Sequence, residues 1–559
     1  MINKLSKLIL TGSLLGLSIL NGIYNPKGIL ILSSLIGILI IKKIFDKKIK
    51  NPEIVIINIY LLASLYLSNY ANLGHREIIV LITAFSIISL KDFFLKHKKF
   101  ISKLLVFLCG IQLILSLYQV FNLDIHRAYG FFIDSFNAKI YFPNAFALFN
   151  IISLGFISNL NNKTQKLLLI LSFINIYLSQ SRGGLIAYFI ILFAYLIHEF
   201  KNKLNKRNIL ENITLIILVC ISVFGINKYL NKDKININFQ GTSKLTSIDG
   251  RIDSFQYGLK QIIENPFVIN GSNSFQEFSK KHQEKWLSNA PHPHNFLIKY
   301  WSELGIGFII LFSIFAINVI KNLNLKPGNP KFLESVGIIS IIFHNSIDYN
   351  LNFPINIALF FILLSFNYKT INLKFLKKYK TQILSINVII IIIVSTSFLY
   401  KYQKYRNLRD NINTNFEYQN FNFENSILLQ IQKANNYKQT IAEENLNYFI
   451  ENSYNLSLNN FELAKYYKDK DTNKSKRFIL EAIRLNPRNN WDFYKFTVEN
   501  KIETFRDIPK ELDQYLYLAE NNIHYTSNSN NIKTAIEVCK LSKHNICNKL
   551  EAAQAKFKR

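Results

Sequence analysis

Through residues 1 to about 400, long apolar runs alternate with short polar loops. The runs lie near 8–23, 28–41, 54–68, 77–90, 101–120, 143–159, 167–179, 184–198, 209–226, 304–320, 333–347, 354–367 and 382–399. A bilayer-crossing helix needs roughly 17 to 25 mostly apolar residues. The pattern therefore predicts an all-α polytopic membrane protein with about 12–13 transmembrane helices. Runs 28–41, 167–179 and 354–367 fall short of a full span. They must extend into amphipathic flanks or be covered by neighbouring protein. From 401 the chain turns polar, rich in Asn, Lys, Glu and Tyr, with no run able to cross. Two domains are expected: a transmembrane domain over 1–400 and a water-soluble helical domain over 401–559. Lys4 and Lys7 ahead of an apolar run resemble the start of a signal peptide. No clean small-x-small cleavage site follows, so a retained first helix is expected.

Charge sets the orientation. The 559-residue chain carries a formal charge of +30 and is 49% hydrophobic. Its mean hydropathy of +0.13 averages over the two regimes. The cations are not gathered in one domain, as nucleic-acid binding would require. They fill alternate loops, at 42–50, 91–99, 161–166, 200–207, 321–331 and 368–380. The intervening short loops hold few. By the positive-inside rule the first set and the N-terminus are cytoplasmic. The long interval 227–293 and the C-terminal domain then lie outside, in the periplasm of a cell with two membranes. Cys109 and Cys220 sit in apolar runs. Cys539 and Cys547 lie in the C-terminal domain and can pair if that compartment is oxidising.

The unusual polar motifs all fall on the outer side of this topology. Arg182 lies between two apolar runs, followed by Gly183 and Gly184. An arginine there either faces an anion, helped by the amides of the next helix, or snorkels to lipid headgroups. Arg251 opens an amphipathic stretch with Phe255, Leu259, Ile262 and Ile263 at helical spacing, and Asp249 is a candidate N-cap for it. An external helix lying against the membrane or the bundle is expected there, with Arg251 either functional or a solvated first-turn residue. His292 and His294 stand in the stretch Pro291–Asn295, ahead of Glu303 and Gly305. Imidazole is the side chain best suited to take a proton near neutral pH, although a lone histidine at a helix mouth also serves as a cap. No cysteine or carboxylate stands at ligand spacing from the two histidines, so no metal is expected. Glu303 is nine residues from His294, on the opposite helical face, which suits an internal structural partner. Asp348, with His344, Asn345 and Asn350, makes the outer end of its run unusually polar. Asn144, after Pro143, is a candidate N-cap, and Arg127 shares its loop. Asn295 adjoins His294. Each of these four, Arg127, Asn144, Asn295 and Asp348, is a supporting candidate or no more than a cap or anchor.

The order FPN at 142–144, SRGG at 181–184, Gly-Arg at 250–251 with a helix ending NPF at 265–267, PHPHN and then ELGIG, and a late polar span with Asp348 resembles the O-antigen ligase superfamily. That group includes lipopolysaccharide O-antigen ligases and pilin-type protein O-oligosaccharyltransferases, and O-antigen polymerases are similar in architecture. The resemblance covers roughly 120–365, and the order rather than any single motif carries it. It implies a GT-C-like glycosyltransferase with a large periplasmic loop over 227–293. Such an enzyme takes a glycan from undecaprenyl pyrophosphate and joins it to an acceptor hydroxyl, with inversion and without a metal or other cofactor. By position, His294 matches the loop histidine that serves as base, and Arg182 and Arg251 match the arginines that hold the pyrophosphate. Lipid A core is the first acceptor expected, a protein the second, and a growing glycan the third. A lipid-linked glycan transporter is the rival from another class. It would place ionisable residues near the bilayer midplane within internal repeats, and neither is seen. The stretch 474–490 resembles the end of a tetratricopeptide-type helix, but no clean 34-residue repeat accompanies it.

Overall fold

The structure is a computed structural model. It describes residues 26–45, 51, 54–68, 75–123, 125, 127–132, 142–202, 214, 243–284, 290, 292–371, 382, 385–397, 399–400, 456–488, 490–504, 506–520 and 529–557. Run 8–23, run 209–226 apart from residue 214, the loop segment 227–242, Cys220 and residues 401–455 lie outside the described residues. The membrane-facing half contains α1 (Pro26–Phe45), α2 (Ile54–Leu67), α3 (His75–Ile88), α4 (Lys91–Phe121), α5 (Pro143–Gly155), α6 (Asn162–Ser179) and α7 (Arg182–Asn202). It continues with α8 (Ser243–Glu264), α9 (Ser274–His282), α10 (Phe296–Ile320), α11 (Phe332–Ile347) and α12 (Pro354–Asn367), then α13 over Ser385–Ser397. The C-terminal part contains α14 (Ser457–Tyr467), α15 (Thr472–Leu485), α16 (Trp491–Glu499), α17 (Ile508–Glu520), α18 (Ser529–Leu541) and α19 (Cys547–Phe557). Among the described residues the secondary structure is all helical.

Helices α4, α7 and α10 are long and apolar enough to cross a membrane, and α2, α5, α11, α12 and α13 are shorter apolar helices. Two of the long helices start at least two turns before their apolar runs. The segment 91–99, expected as a loop, is the first part of α4. Phe94, His97 and Ile101 recur at three- and four-residue spacing and are buried, so the lysines project from the other face. Similarly α10 starts at Phe296, because the Asn295 side chain accepts hydrogen bonds from the amides of Leu297 at 3.0 Å and Ile298 at 3.1 Å.

One apolar core runs continuously through α1–α7 and α10–α13. A second, separate core joins α14–α19 around Trp491, Tyr494 and Tyr515. Within the first, α5 and α11 approach at backbone distance. A Cβ built on Gly337 would stand 2.6 Å from Cα of Gly155. Small residues permit this contact, and such close approach is how helices pack where lipid supplies no hydrophobic drive.

Helix α10 is broken at Gly305, whose φ of 75° and ψ of 176° are non-helical. Glycine adopts a positive φ without the Cβ clash other residues suffer. The break orphans backbone groups in a buried setting, and each needs a partner. The loop after α8 supplies most of them. Gly271 N–H donates to the Glu303 carbonyl at 2.8 Å, and Ile306 N–H donates to the Pro266 carbonyl at 3.2 Å. The Asn270 amide donates to the Ser302 carbonyl at 2.9 Å, and the Tyr60 hydroxyl to the Leu304 carbonyl at 2.7 Å.

Helix α8 begins at Ser243, so Asp249 lies inside it and is not its N-cap. Arg251 consequently sits on the third turn. Ser254, Tyr257, Gln261 and Ile262 are buried, while Ile252, Phe255, Leu259 and Ile263 form an exposed apolar stripe. The expected amphipathic helix is present. Its neighbour α9 leads to the C-terminal part, where the Gln283 amide donates to Asn486 Oδ1 at 2.8 Å. Arg488 donates to the carbonyls of Gln283 at 3.1 Å and Glu284 at 2.7 Å. Its guanidinium also forks onto Glu511, at 3.0 and 3.2 Å. Cys539 and Cys547 join α18 to α19 as a disulfide with Cα atoms 5.6 Å apart.

Candidate active site

Asp348 is the centre of the polar cluster. It is the first residue beyond α11, and its amide closes that helix by donating to the His344 carbonyl at 3.0 Å. Its carboxylate receives three side chains from three other segments. His294 Nδ1 lies 3.1 Å from Oδ1, Arg251 Nη2 lies 3.5 Å from Oδ2, and the Asn144 amide donates to Oδ2. Burial pushes the Asp348 carboxyl up. The hydrogen bond from His294 and the charges of Arg251 and His294 outweigh it and hold the group well below the usual carboxylate range. An ionised Asp348 can only accept, so His294 carries its neutral-form proton on Nδ1. Nε2 is then the basic nitrogen. The side chain of His294 is 25% exposed against 12% for Asp348, so the imidazole is the more accessible of the pair.

Backbone geometry brings His294 there. Its φ is 53°, a left-handed conformation that costs a non-glycine residue about 1–3 kcal/mol. Pro293 before it and the cap at Asn295 after it fix the chain on both sides. The Asn295 amide also donates to the Ser346 carbonyl at 3.2 Å, tying the start of α10 to the end of α11. Asn295 is thus a cap and a tether. His292 packs edge-on against His294, with ring centroids 4.5 Å apart, and against Tyr349 at 5.6 Å. Burial, followed by the neighbouring His294, pushes its imidazole down to about 3 and keeps it neutral.

Arg127 links the arginines to this centre. Its Nε donates to the Ser179 carbonyl at 2.9 Å and Nη2 to Asn144 Oδ1 at 2.8 Å. Asn144 thereby bridges Arg127 and Asp348. It is not the N-cap of α5. Pro143 occupies the first turn and Phe142 is the cap residue, because a proline's missing N–H costs nothing at that position. Burial lowers the Arg127 guanidinium; Asp348 raises it, and the charges of Arg251 and Arg182 lower it further. Arg182 opens α7, whose N-terminus is capped by the Ser181 hydroxyl accepting from Gly184 N–H at 3.2 Å. A Cβ on Gly183 would come within 3.6 Å of His344, so this helix start lies against the end of α11. Arg182 is exposed. Three guanidiniums and one carboxylate thus meet at a helix N-terminus, a combination suited to a multiply charged anion.

A second, fully buried cluster lies behind the first. Lys299 Nζ reaches Glu303 at 2.9 and 3.0 Å and Glu77 at 3.2 Å. Tyr349 donates to Glu77 at 2.7 Å and Ser272 donates to its other oxygen at 2.5 Å. Tyr300 and Tyr349 share a 2.7 Å hydroxyl contact. Glu303 is accordingly an internal partner of Lys299. Glu77, Lys299, Tyr300 and Tyr349 were not singled out from the sequence. A glutamate ahead of an apolar run, at 77, and a lysine inside α10 were the available signals. Among the described residues no group of three or more His, Cys, Asp or Glu is arranged to hold a metal ion.

A protein of Haemophilus influenzae described only as uncharacterized is 30% identical to this chain over 195 residues, 32% of this chain. The chain spans about half of that relative's length, 48%. Residues 167–313 match the family model described as O-Antigen ligase. The matched segment contains Arg182, Arg251 and His294, and the long apolar helices mark a membrane protein. That match supports the O-antigen ligase superfamily for residues 167–313 of this chain.

Proposed function

We propose that this protein is a membrane glycosyltransferase of the ligase type. It moves a glycan from undecaprenyl pyrophosphate to an acceptor hydroxyl at the periplasmic face, with lipid A core as the leading acceptor. The pairing of His294 Nδ1 with Asp348 at 3.1 Å carries this reading. With Nδ1–H committed to the carboxylate, Nε2 takes the proton of the acceptor hydroxyl as its oxygen attacks the anomeric carbon. The bond from that carbon to the phosphate oxygen breaks. The lipid pyrophosphate leaves with the electron pair, and its added charge falls to Arg182 and Arg251, with Arg127 behind them. Forked guanidinium donors fit phosphate oxygens better than a lysine would. One displacement inverts the anomeric centre and asks for no metal.

Two further features support a lipid-linked donor. The apolar stripe Ile252, Phe255, Leu259 and Ile263 begins beside Arg251, so a charged headgroup and a hydrocarbon tail find adjacent surfaces. The disulfide between Cys539 and Cys547 suits an oxidising compartment, which agrees with a periplasmic domain over 401–559. The candidate site residues lie in loops, at helix ends or on α8, and none is in the middle of a long apolar helix, which speaks against a transporter.

Glycan transfer by His294→Ala, Arg182→Ala and Arg251→Ala in a strain lacking the chromosomal copy tests the assignment. Loss by about 10²-fold or more is expected for the histidine. Full transfer by all three overturns it. Product analysis, for glycan on lipid A core, on protein or as longer lipid-linked chains, decides the acceptor.

A further inference from the structure

Glu77 lies far from the other site residues in sequence and belongs to α3, outside the matched segment. It is buried and reaches three separate parts of the site. Its Oε1 accepts from Tyr349, the residue next to Asp348. Its Oε2 accepts from Ser272, in the loop that follows the helix of Arg251. The same oxygen is 3.2 Å from Lys299, one turn into the helix that His294 and Asn295 introduce. Tyr349 has one hydroxyl proton and spends it on Glu77. The 2.7 Å contact with Tyr300 is therefore donated by Tyr300, which adds a second tie from α10 to the residue after Asp348. Glu303 reaches fewer segments: its side chain meets Lys299 of its own helix and the Asn273 backbone in the loop after α8.

We infer that Glu77 is a positioning residue for transfer. It pins the segments bearing Asp348, His294 and Arg251 to one another from the membrane side. This rests on the reading that His294 and Asp348 are the base pair. Glu77 contacts neither of them directly, so its effect passes through Tyr349, Lys299 and Ser272. A base displaced by about 1 Å loses much of its rate while the anion site still binds.

The test uses membranes carrying the full chain, titrated with undecaprenyl-pyrophosphate-linked glycan, with transfer onto the membranes' own acceptor counted. Glu77→Gln is expected to lower turnover at least about tenfold with donor KM within about twofold, at unchanged protein level. Glu77→Asp, which restores the charge beside Lys299, is expected to recover at least about half of the lost turnover. Tyr349→Phe deletes one hydroxyl, leaves the Lys299 pair, and is expected to show the same split at about threefold. It keeps the question open to refutation if Glu77→Gln does not accumulate. Full turnover by Tyr349→Phe together with loss in Glu77→Gln that only tracks protein level overturns the inference. So does full turnover by Glu77→Gln. If His294→Ala is inactive in that experiment, the proposed function survives such a result. If His294→Ala is fully active, or the unchanged protein transfers nothing, the base assignment fails and the role of Glu77 falls with it.

Discussion

Asp348 and His294, 54 residues apart in sequence, meet at 3.1 Å with the imidazole's Nδ1 facing the carboxylate. That orientation fixes which nitrogen is basic. Asp348→Asn keeps the size of the side chain but offers an amide that can donate to Nδ1, favouring the opposite tautomer. Glycan transfer is expected to fall by about 10²- to 10⁴-fold with little change in donor KM. Steady-state rates over a donor titration check this.

Acid sensitivity follows from the same carboxylate. Its folded-state value is depressed, so its contribution to stability is complete above the ordinary carboxylate value near 4 and is lost as pH falls through the lower folded value. His292 acts at higher pH. Its imidazole is held neutral down to about 3, whereas the unfolded chain takes up that proton near pH 6.5. Stability therefore declines from about pH 6.5 downward. Thermal midpoints in detergent between pH 3 and 8 are expected to show this slope. His292→Phe should reduce the slope between about pH 6.5 and 3, which His282, also pushed down by burial, shares, and Asp348→Asn should reduce the slope below about pH 4.

The approach of Gly337 to Gly155 leaves no room for a methyl group. A Cβ at Gly337 would meet backbone at 2.6 Å, and backbone cannot swing aside as a side chain does. Gly337→Ala is expected to lose about 1–3 kcal/mol, read as a lower thermal midpoint and lower accumulation in membranes. Gly110, with nothing within 4 Å of its built Cβ, is the control: Gly110→Ala is expected to be neutral or slightly stabilising in its helix.

The cysteines report the compartment of the C-terminal part. Maleimide added to denatured protein without reductant is expected to leave Cys539 and Cys547 unlabelled, and to label both after reduction. Labelling of both without reduction would contradict the periplasmic assignment of 401–559.

The helices were largely legible because apolar runs and helical spacing are local properties. Each described run appears as a helix, and in the helix of Arg251 Ile262 faces the protein while Phe255, Leu259 and Ile263 line an exposed stripe. Helix starts were less legible. Asn144 and Asp249 each have good capping chemistry, yet Pro143 and an earlier start at Ser243 claim those ends. The candidate site was legible as a set but not as an arrangement. Arg127, Asn144, Asn295, Asp348, Arg251 and His294 stood out as polar residues on one side of an apolar chain. That Asp348 is their meeting point depends on tertiary closure across 54 to 204 residues, which no local pattern encodes. The left-handed backbone at His294 is equally silent in sequence, since prolines before a residue do not dictate its φ. Glu77 was hidden for a further reason. Its partners are a serine, a lysine and a tyrosine, none of which is unusual until they converge.

The break at Gly305 has a mechanical consequence. Residues 266–271 and 302–306 are joined mostly through backbone atoms, with Asn270 as the side-chain exception. Such a joint is largely indifferent to which residues compose it and highly sensitive to how many there are. Most substitutions between Pro266 and Gly271 leave its backbone bonds in place. Removal of a single residue there shifts the register by about 3.5 Å, and the outer half of α10, with the histidine mounted at its tip, must follow. Length in this short segment, more than composition, sets where His294 stands.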